Sequence, residues 1–162
     1  MLRQSFTVLL LAMMAGFTLS SCEKDDEIGG TAVEKLSGEW WVQLSVDNAL
    51  VVPNFFELRT YNTADNVGNK MWLDDNEDLW PYKFKVDVDP TAQTFSATDA
   101  QSEYTNIKVT VKNGKVLSGV SKGPVSQAVT DSIYFEAEFS DDPGTTYQLH
   151  GYRRTRFTED DH

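Results

Sequence analysis

Period-two hydrophobic alternation, closely spaced turn signals and a lack of sustained helical periodicity predict an all-β domain. The expected form is an antiparallel β-barrel of about eight strands after a cleaved signal peptide. A chain of 162 residues holds about one domain, and 40% hydrophobic with 24% charged residues is ordinary globular composition. Four Trp, six Tyr and nine Phe, many on the predicted inner face, favour a closed barrel over a two-sheet sandwich. Large inward rings either fill a small barrel or line an apolar cavity in it.

The chain opens with Arg3 and an apolar run over residues 6–19, ending in Ser20-Ser21-Cys22. A short apolar run behind a positive charge and ahead of small residues has the form of a secretory leader, and it is too short for a comfortable membrane span. Leu19-Ser20-Ser21-Cys22 resembles a bacterial lipobox, so residues 1–21 are expected to be a lipoprotein signal peptide with Cys22 the acylated first residue. Each buried acyl methylene contributes about 0.8 kcal/mol, enough for several chains to hold a domain on a bilayer. Residues 22–35 follow as a flexible acidic tether, with the domain over 36–162. The run Glu23-Lys24-Asp25-Asp26-Glu27 resembles an export signal of surface lipoproteins, which implies a lipid-anchored, cell-surface position at the outer membrane.

From residue 38 the strands can be taken in order. Trp40, Val42, Leu44 and Val46 share one face, with Glu39, Trp41, Gln43 and Ser45 on the other. Strands are expected over 55–61 and 70–73, then Tyr82, Phe84, Val86 and Val88 alternate with Lys83, Lys85 and Asp87. After a strand over 94–97, Ile107, Val109 and Val111 alternate with Lys108, Thr110 and Lys112. Asn113-Gly114 predicts a two-residue type I′ hairpin leading into a separate strand over 115–120. Ile133, Phe135, Ala137 and Phe139 form the next inner face, and Tyr147, Leu149 and Gly151 the last. Asp89-Pro90, Lys122-Gly123-Pro124 and the run Asp141-Asp142-Pro143-Gly144 mark further turns.

Charge and residue counts narrow the chemistry. Twenty-five acidic against 14 basic residues, net −11, argue against nucleic acid, which needs a basic face. One Cys makes no internal disulfide or multi-cysteine metal site, two His leave little for histidine-based metal binding, and no cofactor is indicated. Asp74-Asp75-Asn76-Glu77-Asp78 starts like an EF-hand loop but carries Leu79 at the glycine position and Lys85 at the bidentate glutamate. A solvated acidic turn is the preferred reading over an irregular calcium site. There is no G-x-S-x-G, and no catalytic residue is assigned; Asp131, Ser132 and His150 make a triad only in principle.

Gly38-Glu39-Trp40 opens the first strand as a G-x-W, and Gly151-Tyr152-Arg153-Arg154 lies in the last. These resemble the lipocalin and wider calycin barrels, which implies that Arg153 covers Trp40 and that Gly38, Trp40 and Arg153 close one barrel end. More closely, Gly38-x-Trp40, Tyr61-Asn62-Thr63, Met71-Trp72, Asp131-Ser132-Ile133 and Gly151-Tyr152-Arg153-Arg154-Thr155-x-Phe157 resemble the lipid-binding putative hydrolase family of lipoproteins. Arg156 stands where that pattern leads one to expect glycine. The resemblance implies a lipocalin-like fold and a lipid or other apolar small molecule as ligand.

The leading expectation is therefore a membrane-anchored module binding an apolar or amphipathic ligand in its barrel, with Trp72, Trp80, Phe84 and Phe135 lining the cavity. The second is a non-enzymatic subunit of an outer-membrane complex, its protein partner meeting an outward patch of Trp41, Tyr134 and Tyr152. Lipid or ester hydrolysis is the third, with His150 the residue to test.

Overall fold

The computed structural model describes residues 30–162. The leader, Cys22 and most of the tether lie outside the described residues. Eight strands, β1 (Gly38–Val46), β2 (Ala49–Asn62), β3 (Lys70–Asp74), β4 (Lys83–Asp89), β5 (Thr94–Gln101), β6 (Lys108–Lys122), β7 (Val129–Phe139) and β8 (Tyr147–Arg153), close in sequence order into an antiparallel barrel. Closure comes from β8 returning to β1, with Trp40 opposite Arg153 and Val46 opposite Tyr147.

The inner face is the alternating apolar set. Trp40, Val42 and Leu44, then Met71 and Leu73, Phe84 and Val86, Ile133, Phe135 and Ala137, and Leu149 form one buried cluster. Burying each large side chain of this kind contributes roughly 1.5–3 kcal/mol. Phe84 and Phe135 are each only 1% exposed, so side chains fill the barrel interior around them and leave no room beside them for water.

Two turns differ from expectation. The tight type I′-like hairpin is Asp47-Asn48, between the paired residues Val46 and Ala49, with φ of 50° and 62°. Asn113-Gly114 is no hairpin: β6 runs through it as one strand, with a register shift between Lys112 and Lys115. Only Asn113 takes a positive φ (55°), which makes a bulge rather than a reversal. Gly114 is required by close approach, since a Cβ there would lie 2.4 Å from the Phe95 carbonyl oxygen. Two expected strands thus merge, and eight remain.

Both chain ends pack onto the barrel. Val33 and Leu36, around a one-turn 3-10 helix (Glu34–Leu36), enter the core and plug the end where β1 begins. After β8 the chain folds back along the outside. His162 stacks on Phe55 at 4.2 Å, meets Trp41 edge-on at 5.5 Å and lies 2.7 Å from the Tyr152 hydroxyl. Trp41 and Tyr152 do point outward, but this segment buries them, so with Tyr134 they form no free contact patch.

Candidate functional site

The end opposite the plug is ringed by the Asp47-Asn48 turn and the loops over 75–82, 102–107 and 140–146. Asp75 shapes the first of these loops. Its buried carboxylate accepts backbone N–H bonds from Glu77 (3.1 Å), Trp80 (2.8 Å) and Tyr82 (3.0 Å). Burial raises the pKa of Asp75, and the amide donors oppose that rise. Asp74 turns elsewhere, accepting from the hydroxyls of Tyr61 (2.7 Å) and Tyr104 (2.9 Å). The acidic run is therefore a hydrogen-bonded turn. Among the described residues no group of three or more His, Cys, Asp or Glu is arranged to hold a metal ion.

The turn lays Trp80 across the mouth. Its ring stacks on Phe139 at 4.2 Å, with planes 6° apart, and meets Tyr147 edge-on at 5.1 Å. Its indole N–H donates to Asp141 at 3.2 Å. Tyr82, 1% exposed, shares Phe139 with it, at 5.7 Å between ring centres, and lies 5.5 Å from Phe84. The Tyr82 hydroxyl is buried and has no hydrogen-bond partner. Burial and the nearby Asp75 and Asp74 push its pKa well up, so it stays a neutral phenol able to donate and accept. Leaving such a group unpaired costs about 1–3 kcal/mol.

The four rings expected to line a cavity are not gathered in one place. Trp80 covers the mouth and leads through Phe139 and Tyr82 to Phe84. Phe135 is buried at a different level, against Phe95 at 5.7 Å. Trp72 stands outside the barrel: Met71 and Leu73 take the inward positions of β3, which sends the intervening side chain out. There Lys83 and Lys85 lie 5.2 and 4.9 Å from its ring centre. Phe139, Tyr82 and Tyr147 were not singled out as site residues, although their inward parity was visible in the alternation.

At the plugged end Trp40 is fully buried, its indole N–H donating to Thr60 Oγ1 at 2.8 Å, and that hydroxyl donating to the Leu36 carbonyl at 2.6 Å. The Arg153 guanidinium lies 4.9 Å from the Trp40 ring centre and pairs with Asp131 at 3.1 Å. A Cβ on Gly38 would come within 3.2 Å of both the Trp40 ring and Arg153 Nε, which makes the glycine part of this packing. With Asp131 committed to Arg153, the triad of Asp131, Ser132 and His150 is not assembled. His150 Nε2 instead faces Ser45 Oγ at 3.1 Å.

A closed eight-stranded barrel is the fold expected from the motifs, and at its plugged end an arginine lies on the G-x-W tryptophan. Residues 25–158 match the family described as lipid-binding putative hydrolase. The chain belongs to this family. Its name implies lipid binding. No curated protein matches the chain. Among solved structures, it is similar to a crystal structure of unknown function from Bacteroides ovatus. The TM-score is 0.47 at 16% identity, covering 74% of this chain and 42% of that one. The chain thus spans less than half the length of that protein.

Proposed function

We propose that this lipid-binding family member takes an amphipathic lipid at the barrel mouth, beneath Trp80, with the lipid's polar group on the Tyr82 hydroxyl. The observation that carries this reading is the buried Tyr82 hydroxyl without a partner, on a ring that shares Phe139 with Trp80, itself held by the stack on Phe139, an edge contact with Tyr147 and one indole hydrogen bond. The interior is filled, so binding requires Trp80 to swing off Phe139. The displacement gives up the stacking, about 0.5–1.5 kcal/mol beyond buried area, with the edge contact to Tyr147 and the bond to Asp141, and the bound lipid replaces the apolar contact. The acyl chain then covers the apolar faces of Phe139 and Tyr147.

The proposed setting is the outer membrane, with the protein lipid-anchored through Cys22 and facing outward; the leader and the acidic run after Cys22 support this. The eleven steps from Cys22 to the buried Val33 span at most about 35–40 Å. A chain anchored there presents its plugged end to the bilayer and its mouth away from it.

The test uses the soluble chain starting at Glu23 and a dibrominated stearic acid, whose bromines quench nearby tryptophan. Saturable quenching that falls sharply in Trp80→Phe, with one bound lipid seen by native mass spectrometry, is the expected result. Quenching equal in the two proteins, or no retained lipid mass, overturns the reading.

A further inference from the structure

Arginine is scarce in this acidic chain, and its placement is uneven. All four arginines among the described residues, Arg59, Arg153, Arg154 and Arg156, line one pocket of about 430 Å³ at the plugged end, beside Gly38 and Glu39. That volume suits a small ligand rather than a lone ion. We propose that this pocket binds a phosphate ester, at a site separate from the Trp80 mouth.

Three observations carry the assignment. The Arg153 Nε is buried and has no hydrogen-bond partner, although Nη2 of the same guanidinium reaches Asp131 at 3.1 Å and the Lys35 carbonyl at 3.3 Å. Arg156 occupies a left-handed backbone position, φ 66°, where glycine is unstrained and a longer residue is not. Its side chain is 76% exposed, so packing does not account for the choice. Finally, Glu39 serves two guanidinium groups at once and loosely, Arg154 at 3.3 Å and Arg156 at 3.6 Å. Arg154 to Asp161 (2.6 Å) and Arg59 to Glu57 (2.8 Å) are, by contrast, tight. Charge-assisted pairs normally close to about 2.7–2.9 Å. A phosphate, with more oxygens and up to two charges, reaches both the Arg156 fork and the Arg154 Nη1 left over from the Asp161 pair, where a single carboxylate serves each only loosely. Glu39 stands in its place and competes with it.

The local acids Glu39, Glu57, Asp131 and Asp161 balance the four arginines, so binding is modest and salt-sensitive. Two substitutions with opposite signs test the site. Arg156→Gly suits the backbone and removes one fork: thermal stability holds or rises while phosphate-ester affinity falls about tenfold. Glu39→Gln removes the competitor and raises affinity several-fold. Calorimetry at low salt with glycerol 3-phosphate, inorganic phosphate and monomeric dihexanoyl phosphatidic acid reads the result. Tighter binding of the short-chain phosphatidic acid that falls in Arg156→Gly and persists in Trp80→Phe identifies a lipid headgroup at this pocket. Equal or tighter binding of the two water-soluble anions identifies a free phosphate compound. No saturable binding up to about 10 mM, or affinity unchanged in both variants, overturns the proposal. Trp80→Phe leaves the affinities for inorganic phosphate and glycerol 3-phosphate unaltered, so failure at the mouth and failure here are told apart.

Discussion

At the plugged end a tryptophan is buried completely, hydrogen-bonded through Thr60 to the Leu36 carbonyl and covered by the Arg153 guanidinium. At the mouth another tryptophan is half-buried, stacked on Phe139 and tied by one indole bond to Asp141. Both rings close an end of the same barrel, yet they differ in how many independent contacts must break together for the end to open. Trp40 is held by neighbours that are themselves held: Leu36 by the core, Arg153 by Asp131. Trp80 rests on a loop shaped chiefly by one carboxylate, Asp75. The first arrangement makes a fixed base and the second a removable cover.

The largest effect that separates the two ends is expected from Trp40→Ala, which empties a site in the filled core. It should cost about 3–5 kcal/mol, a large part of a typical domain's stability, and chemical denaturation would read it directly. A loss below about 1 kcal/mol would mean that the plug, and not the ring, closes this end.

Next comes Asp160, which ties the 123–128 turn to the segment after β8. Its buried carboxylate accepts the backbone N–H groups of Val125 and Ser126 at 2.9 Å each and the hydroxyls of Ser126 (2.5 Å) and Thr155 (2.6 Å). Burial alone would raise this carboxyl's pKa, yet these donors hold it well below the usual carboxylate range. A depressed folded pKa means that the stabilisation is complete above the unfolded value near 3.9 and is lost as pH falls below it. Asp160→Ala should lower the melting temperature by roughly 5–10 °C at neutral pH and flatten the acid dependence below about pH 4. An unchanged acid limb would remove Asp160 as its source.

Trp80→Ala is smaller still in stability, about 0.5–1.5 kcal/mol, because the ring is half-exposed and its neighbours remain packed. Its expected signature is kinetic. With the cover gone, cis-parinaric acid, a fluorescent fatty acid, should both enter and leave faster. Stopped-flow rates identical to those of the wild type would mean that the ring is ordinary packing.

Much of this contrast could be read from the sequence, and some could not. Parity alone places Trp40, Phe84, Phe135 and Leu149 inside, because clean alternation along strands of seven to eleven residues admits one register. The same rule had no purchase on Trp72, set in the short apolar run Met71-Trp72-Leu73, where either register offers an apolar inner face. Asn113-Gly114 satisfied the local chemistry of a hairpin, but a bulge makes the same local demand, and the packing of Phe95 on Gly114 decided between them. Burial of Trp41 and Tyr152 depends on a segment folding back from the far end of the chain, which no strand pattern encodes. The convergence of Arg59 with Arg153, Arg154 and Arg156 likewise depends on barrel closure, which sets β2 and β8 on either side of β1.

The smallest stability effect is also the most diagnostic for the mouth, because its two readouts move in opposite directions. Tyr82→Phe removes only an oxygen, and that oxygen is buried without a partner. In the free protein the change should be neutral or stabilising, by up to about 1 kcal/mol, since an unpaired polar group no longer has to be kept from water. Toward an amphipathic lipid the same change should weaken binding about three- to tenfold, through loss of the one bond the hydroxyl makes when occupied. An ordinary core tyrosine with a missed structural partner would show the reverse stability change, a loss on substitution. Denaturation and lipid titration of this single variant therefore separate a hydroxyl kept for a ligand from one kept for the fold.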